Sequence, residues 1–182
     1  DKKGTLWIAT NTGLNRYNHE TDDFSLFLTE HNDKPLLRSN MLRTLAVDSQ
    51  NRLYVGSRNG LNIINTEPCE SVSLSHAPGD PTSLRSNRLR ELYIDSQERL
   101  WVGTTDAGVS LFNEKERSFK HWAHISGDPS SLTLNDINSI VEDMQGRFWF
   151  ATHGGGISRL NEDGETFTNY TKEAYDLSII NI

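Results

Sequence analysis

Hydrophobic and polar residues alternate along this chain in short runs, and the runs come in sets of four. "RLRELYID" (Arg88–Asp95), "RLWVGT" (Arg99–Thr104), "VSLFN" (Val109–Asn113) and "SFKHWAH" (Ser118–His124) are rich in aliphatic, β-branched and aromatic residues. The turn phrases "SQE", "TDAG" and "EKER" separate them. This pattern predicts four short strands. No stretch sustains the 3.6-residue period of a helix.

The set is written four times. "TLWIATNTGLNRYN", "RLYVGSRNGLNIIN" and "RFWFATHGGGISRLN" repeat the phrase "RLWVGTTDAGVSLFN". The anchor aromatics Trp7, Tyr54, Trp101 and Trp149 are spaced by 47, 47 and 48 residues. A second marker, Asn40, Asn87, Asn135 and Asn181, is spaced by 47, 48 and 46. Asp48, Asp95 and Asp143 each close the run that precedes an anchor. A fixed period in the range of about 20–50 residues signals a solenoid, a propeller or an array. Four antiparallel strands in each such period make a β-propeller blade. The expectation is therefore an all-β chain, a β-propeller fragment of about four blades, with repeats 1–39, 40–86, 87–134 and 135–180 and the start of another at 181–182.

Side chains two apart on a strand share a face. Trp101 thus lies beside Gly103, Trp7 beside Ala9, Tyr54 beside Gly56 and Trp149 beside Ala151, while Leu100 and Val102, or Leu53 and Val55, occupy the other face. Both faces are apolar, as in a blade held between two others, so the anchors are expected in the core. The first repeat starts in the turn before "TLWIAT" and lacks its first strand. The end blades of such a fragment are expected to expose apolar faces and to drive self-association. In a longer chain, further blades would cover them.

The repeated phrases, with "NDINSIVEDMQG" and the loops "DPTSLRSN" and "DPSSLTLN", resemble the two-component regulator propeller repeat over essentially the whole chain. The resemblance implies a periplasmic sensor region of a bacterial membrane-bound regulator. In that family the propeller repeats precede a small β-sandwich, a membrane helix and a cytoplasmic histidine kinase or diguanylate cyclase. None of those output parts is written in these residues.

Composition narrows the picture. The net charge is −7 and no Lys/Arg stripe forms, which argues against nucleic acid as a partner. No apolar run reaches the roughly 18 residues of a spanning helix, so no membrane contact is expected from this segment. The start "DKKGTLW" shows neither a signal-peptide pattern nor an initiator Met, as in an internal piece. Cys69 is the only cysteine, which excludes an internal disulfide and a Cys-based metal site, and it reads as a bland loop thiol. No cofactor is expected.

Strand direction sorts the loops into two faces. One collects the linkers "SHAPGDPTSLRSN" and "AHISGDPSSLTLN" and the turns holding Arg58, Asp106 and His153. The other collects short acidic turns and reads as solvated surface. The first strand of each blade lines the central channel, and its polar positions Arg43, Arg90 and Asn138 could grip a carboxylate or a sugar hydroxyl. Otherwise the arginines pair with Glu91, Glu142 or backbone carbonyls. The ligand-binding candidates are thus Arg43, Arg58, Arg90, Asp106, Asn138 and His153. The "HGGG" phrase at His153 resembles a lipase oxyanion loop, but no G-x-S-x-G accompanies it. Asp22–Asp23 and Glu162–Asp163 have no aromatic cleft around them, and the spacing of His121, His124 and His153 matches no metal-ligand pattern. No catalytic or metal-ligating residue is assigned.

The expected function is that of a ligand-sensing segment that recognises a small molecule such as a saccharide and contacts neighbouring blades or a second subunit. A propeller enzyme, lyase or glycosidase, and an interaction scaffold without a small-molecule ligand are the alternatives.

Overall fold

The computed structural model describes residues 1–31, 34–67 and 69–171. Every regular element among them is a strand. Blade I has three strands, β1 (Trp7–Thr10), β2 (Gly13–Asn18) and β3 (Asp23–Phe27). A two-stranded ribbon, β4 (Glu30–His31) and β5 (Lys34–Pro35), interrupts the first linker, and nothing in the hydrophobic pattern announced it. Blade II holds β6 (Leu42–Val47), β7 (Arg52–Ser57), β8 (Gly60–Thr66) and β9 (Cys69–Leu74). Blade III holds β10 (Leu89–Ile94), β11 (Leu100–Thr104), β12 (Val109–Asn113) and β13 (Ser118–Trp122). Blade IV holds β14 (Ile137–Glu142), β15 (Phe148–Thr152), β16 (Gly156–Leu160) and β17 (Phe167–Tyr170). Each blade is an antiparallel meander in sequence order, and β6, β10 and β14 lie side by side as successive inner edges. The Asn181 marker and the close of the fourth repeat lie outside the described residues.

The core sits in the joints between blades. Trp7, Ala9, Leu14 and Phe27 of blade I meet Leu53, Val55 and Ile64 of blade II. Tyr54 and Leu61 meet Leu92, Leu100, Val102, Phe112 and Phe119. Trp101, Val109 and Trp122 meet Ile140, Phe148, Phe150 and Phe167. A linker leucine plugs the outer end of each joint: Leu36 and Leu37, then Leu84, then Leu132. Every blade therefore turns its anchor face to the next blade and its second apolar face to the one before. The small residue beside each anchor permits this approach. A Cβ on Gly103 would lie 2.8 Å from Ile137 Cγ2 of blade IV. Blades I and IV carry alanine at this position, Ala9 and Ala151.

The aspartate that precedes each anchor orients it. Asp95 Oδ2 accepts from Trp101 Nε1 at 3.0 Å and from Arg99 Nε at 2.7 Å, while Oδ1 accepts from the backbone N–H groups of Gln97 and Arg99. Asp143 holds Trp149 and Arg147 in the same way, and Asp48 holds the Tyr54 hydroxyl and Arg52. Asp1 is the further copy, 47 residues before Asp48, and binds Trp7 Nε1 at 2.9 Å. Burial opposes ionisation of Asp143, but the bonds from Trp149 and Arg147 outweigh it and hold the carboxyl well below the usual carboxylate range.

The ring so held fills its joint. Trp101 is 2% exposed, stacks on Trp122 at 5.4 Å and meets Phe148 at 4.6 Å between centroids. Trp149, with no blade over its face among the described residues, is only half-buried against Tyr170.

Trp101→Ala is expected to cost about 3–5 kcal/mol, the range for a large aromatic removed from a packed core. Trp149→Ala is expected to cost less, because part of its surface already meets water. Urea denaturation of both variants measures the order, and an equal loss would mean that the joints do not carry the core. Asp95→Ala is expected to cost about 2–4 kcal/mol, since it strands the buried Trp101 N–H and several backbone donors. The same denaturation series, read beside an exposed Asp163→Ala control, checks that figure.

Candidate functional site

The inner strand of each complete blade carries the same irregularity. Leu42 pairs with Ser57 and Thr44 with Gly56, so Arg43 is an extra residue. Leu89 and Glu91 flank Arg90 in the same way, and Ile137 and Ser139 flank Asn138. A β-bulge re-aims the side chain it carries. The three positions singled out as polar in the sequence are therefore the three bulge residues. Arg43 and Asn138 are exposed, and Arg43 makes no ion pair among the described residues. Arg90 Nη1 lies 2.7 Å from Asp136 Oδ1 of the following blade.

The alternative partners expected for these arginines are corrected by the structure. Glu142 accepts instead from the Ser96 backbone and hydroxyl, at 2.7 and 2.6 Å. Glu91 pairs across the sheet with Gly103, and burial pushes its carboxyl pKa up. Asp136, which sequence reasoning passed over, links two of the candidates. Its side chain holds Arg90, and its carbonyl accepts from the backbone N–H of His153 at 2.8 Å.

Arg58, Asp106 and His153 occupy the turns between the second and third strands, on the face that carries the linkers. All three side chains are exposed. Asp106 stands 3.4 Å from Arg88 Nη1. The "HGGG" phrase is a glycine turn, with φ of +83° at Gly154 and +88° at Gly156. A Cβ on Gly156 would lie 2.3 Å from the Tyr170 carbonyl, so this turn closes only on glycine. The structure thus divides the six candidates into an inner group at the bulges and an upper group at the turns, with Asp136 linking Arg90 to His153.

The second and third linkers are built to one plan. His76 donates from Nδ1 to the Leu84 carbonyl at 2.7 Å, and its backbone N–H donates to Asn87 Oδ1. His124 repeats both bonds with Leu132 and Asn135. His124 is therefore in the linker, not on a strand beside His121 as the hydrophobic pattern suggested. Asp80 and Asp128 close the turns, and the hydroxyl and backbone N–H of Thr82 and Ser130 hold their carboxyls below the usual range.

A hollow opens beside each of these two linkers. One, of about 400 Å³, is lined by His76, Asp80, Pro81, Leu84, Arg85 and His121. The other, of about 750 Å³, is lined by His124, Asp128, Leu132, Thr133, the Gly154–Gly156 turn and Asn169. The two share repeat positions: His76 matches His124, Asp80 matches Asp128, and His121 matches Asn169. Each matched pair member on the fourth strand buries a polar atom without a hydrogen bond, His121 Nε2 and Asn169 Oδ1.

The opposite face also differs from expectation. Among its short acidic turns lies a cleft of about 600 Å³ between blades II and III, lined by Tyr54, Glu98, Arg99, Phe112, Glu114 and Lys120 among others. Glu114, at its wall, is held by Arg52 from across the joint. Cys69 begins strand β9 and is half-buried, rather than lying in a loop.

Among these groups Ser110 and His121 alone have the spacing of a nucleophile and base, 2.7 Å from Oγ to Nδ1. Ser110 is fully buried in its sheet, where its equivalents Asn62 and Ser158 accept from linker backbone. The pair therefore serves packing. Among the described residues no three His, Cys, Asp or Glu side chains are grouped to hold a metal, and no helix is long and apolar enough to cross a membrane.

Two stretches, residues 83–106 and 131–154, match the family described as two component regulator propeller. A search of curated proteins finds no match. Among solved structures, the chain is similar to the extracellular domain assigned to a hybrid two component system, BT3049, from B. thetaiotaomicron. The identity is 25%, the TM-score is 0.81, and 94% of this chain covers 24% of that one. It is also similar to virginiamycin B lyase from Staphylococcus aureus, at 12% identity and TM-score 0.63, over 93% of this chain and 52% of that one. The lyase likeness is one of fold. The chain spans about a quarter of the length of the two component domain it matches.

Burial holds the His121 imidazolium down and the Arg85 charge adds to this, against the opposing Ser83 and Pro81 backbone. A histidine with a depressed pKa folds best neutral. Its stabilising contribution is complete above the ordinary histidine range, near about 6.5, and is lost as pH falls through and below it. Thermal denaturation from pH 7.5 to 5 is expected to show a decline in stability that His121→Asn, the residue blade IV uses at this position, reduces. An unchanged pH slope in that variant would remove His121 as its source.

Proposed function

We propose, from the premise that this chain is built of two-component regulator propeller repeats, that it is a ligand-sensing segment of the periplasmic region of a bacterial transmembrane signal-transduction regulator. The observation that carries the reading is the match of 94% of the chain, at 25% identity, to the extracellular domain assigned to a hybrid two component system. That neighbour supports an extracytoplasmic place for this chain.

The ligand site in this reading is the linker-bearing face. Its hollows are lined by imidazole, carboxylate, hydroxyl, amide and backbone groups, a set that suits a hydroxyl-rich ligand of the saccharide class. His153 and Asp106 stand at the rim of this face, and Arg58 is their counterpart in blade II. Arg43, Arg90 and Asn138 form an inner, secondary group toward the axis. The signal then passes by rearrangement against neighbouring propellers or subunits, with the chemistry of output located elsewhere.

Calorimetric titration with neutral and acidic oligosaccharides tests the reading. A saturable heat with at least one of them is expected. His124→Ala, which removes a wall of the larger hollow, is expected to weaken it about tenfold, equivalent to about 1.4 kcal/mol. Absence of binding to every saccharide class would overturn the ligand assignment. Binding that His124→Ala leaves intact would move the site off this face.

A further inference from the structure

The residue two places before the marker asparagine differs from linker to linker. In the first linker Arg38 donates from Nε to the Asn59 carbonyl at 2.8 Å. In the third, the Thr133 hydroxyl lies 2.9 Å from that of Thr152. In the second the residue is Arg85. Its side chain is exposed and makes neither a hydrogen bond nor an ion pair among the described residues. Arg85 and His121 line the hollow of about 400 Å³ beside their own linker. They also line a further one of about 270 Å³ that takes in His124 and Ser131 of the next linker. Every lining residue of both belongs to blade III, blade IV or the linkers that precede them. The guanidinium charge is felt in this wall, where it disfavours the imidazolium of His121, whose Nε2 is buried without a hydrogen bond.

The other polar side chains at the entrance of the 400 Å³ hollow are acceptors. Asp80 Oδ1 takes both bonds from Thr82, and Oδ2 takes none among the described residues. His76 donates from Nδ1 to the Leu84 carbonyl, so Nε2 of the neutral ring accepts. The hollow beside the third linker repeats the carboxylate and the imidazole as Asp128 and His124, but it has Thr133 in place of Arg85 and no Lys or Arg in its wall. Arg85 is therefore what sets the two hollows apart in charge. A planar guanidinium binds a carboxylate through two parallel hydrogen bonds. The acceptors beside it call for hydroxyl donors on the same ligand.

We propose that the hollow at Arg85 is a carboxylate-selective subsite, in which Arg85 holds the carboxylate of a uronic-acid residue while Asp80 and His76 accept from its hydroxyls. This rests on the reading of the linker face as a saccharide site and adds the charge of the saccharide. Asp80 makes the hydroxyls a second requirement, because its own charge opposes an anion that brings no donors.

Calorimetric titration with short galacturonic- and glucuronic-acid oligomers, each beside its fully methyl-esterified form, tests this. The ester keeps every ring hydroxyl and loses only the charge. At least one acid is expected to bind about tenfold tighter than its ester, with backbone amide shifts at residues 79–85 by NMR. Arg85→Thr, the residue the third linker uses, is expected to abolish the difference and leave the ester's affinity unchanged. Arg85→Lys is expected to restore part of it, with folding of both variants checked by circular dichroism. Equal affinity for acid and ester, or binding of neutral oligosaccharides alone, overturns the subsite and leaves the saccharide reading standing. A preference for the acid that survives Arg85→Thr overturns it too, by placing the carboxylate elsewhere. So does acetate shifting the same amides as strongly as the oligomer, which would make this a plain anion site. Failure of acids, esters and neutral oligosaccharides alike overturns both.

Discussion

Everything in this structure depends on a carboxylate that fixes the angle of an aromatic ring. A tryptophan pressed between two sheets must place its N–H somewhere, and an unpaired buried donor costs about 1–3 kcal/mol. Asp95 supplies that partner from the turn just before the strand, and the same carboxylate caps the turn and pins Arg99. Turn, strand and ring become one rigid unit. The ring then stacks on Trp122 of its own blade and meets Phe148 and Phe150 of the next blade at a tilt, and the glycine two residues on lets that blade come close. Repeating this unit about every 47 residues repeats the joint.

Because the joints carry the core, other positions are released to vary. The position occupied by Asn62, Ser110 and Ser158 shows this. Asn62 and Ser158 accept from the passing linker, while Ser110 binds His121. The opposing position changes from Ser73 to His121 to Asn169, and the hollow beside it changes in size and lining with it. The inner bulges behave alike, holding Arg43, Arg90 and Asn138 in one backbone setting. Such a frame offers a series of similar sites with different chemistry. That accounts for the same fold serving both a two component extracellular domain and a lyase: function resides in what the frame carries.

The ion pairs that cross the joints run in one direction, from a cation on the preceding blade to an acid on the following one, as in Lys3–Glu67, Arg52–Glu114 and Lys120–Glu165. A meander blade has two unlike faces, one bearing the anchor ring and the other the two apolar residues that flank it, such as Leu100 and Val102 or Phe148 and Phe150. Stacking such blades in one order is favourable, while stacking like on like would leave rings and glycines facing each other with poor packing. The ion pairs of each joint follow the same order.

The amino-acid order alone determined the strands, the period, the blade and the buried anchors Tyr54 and Trp101, because each rests on local alternation and on spacing that any reader of the chain can measure; Trp7 and Trp149, in the end blades, are only partly buried. It also placed Arg58, Asp106 and His153 on the linker face, since strand direction follows from counting turns. It passed over the copy of the turn aspartate at Asp1, although its 47-residue spacing from Asp48 was available as a signal. Only the folded chain decided that Arg43, Arg90 and Asn138 are bulge residues, because a bulge is a mismatch between two strands and is invisible in either one. Only it joined Arg90 to Asp136, opened the cleft beside Glu114 and set His121 against Ser110. Those features arise where segments far apart in sequence meet at a blade joint or a linker crossing, and the distances that decide them are fixed by packing, not by the chain's local pattern.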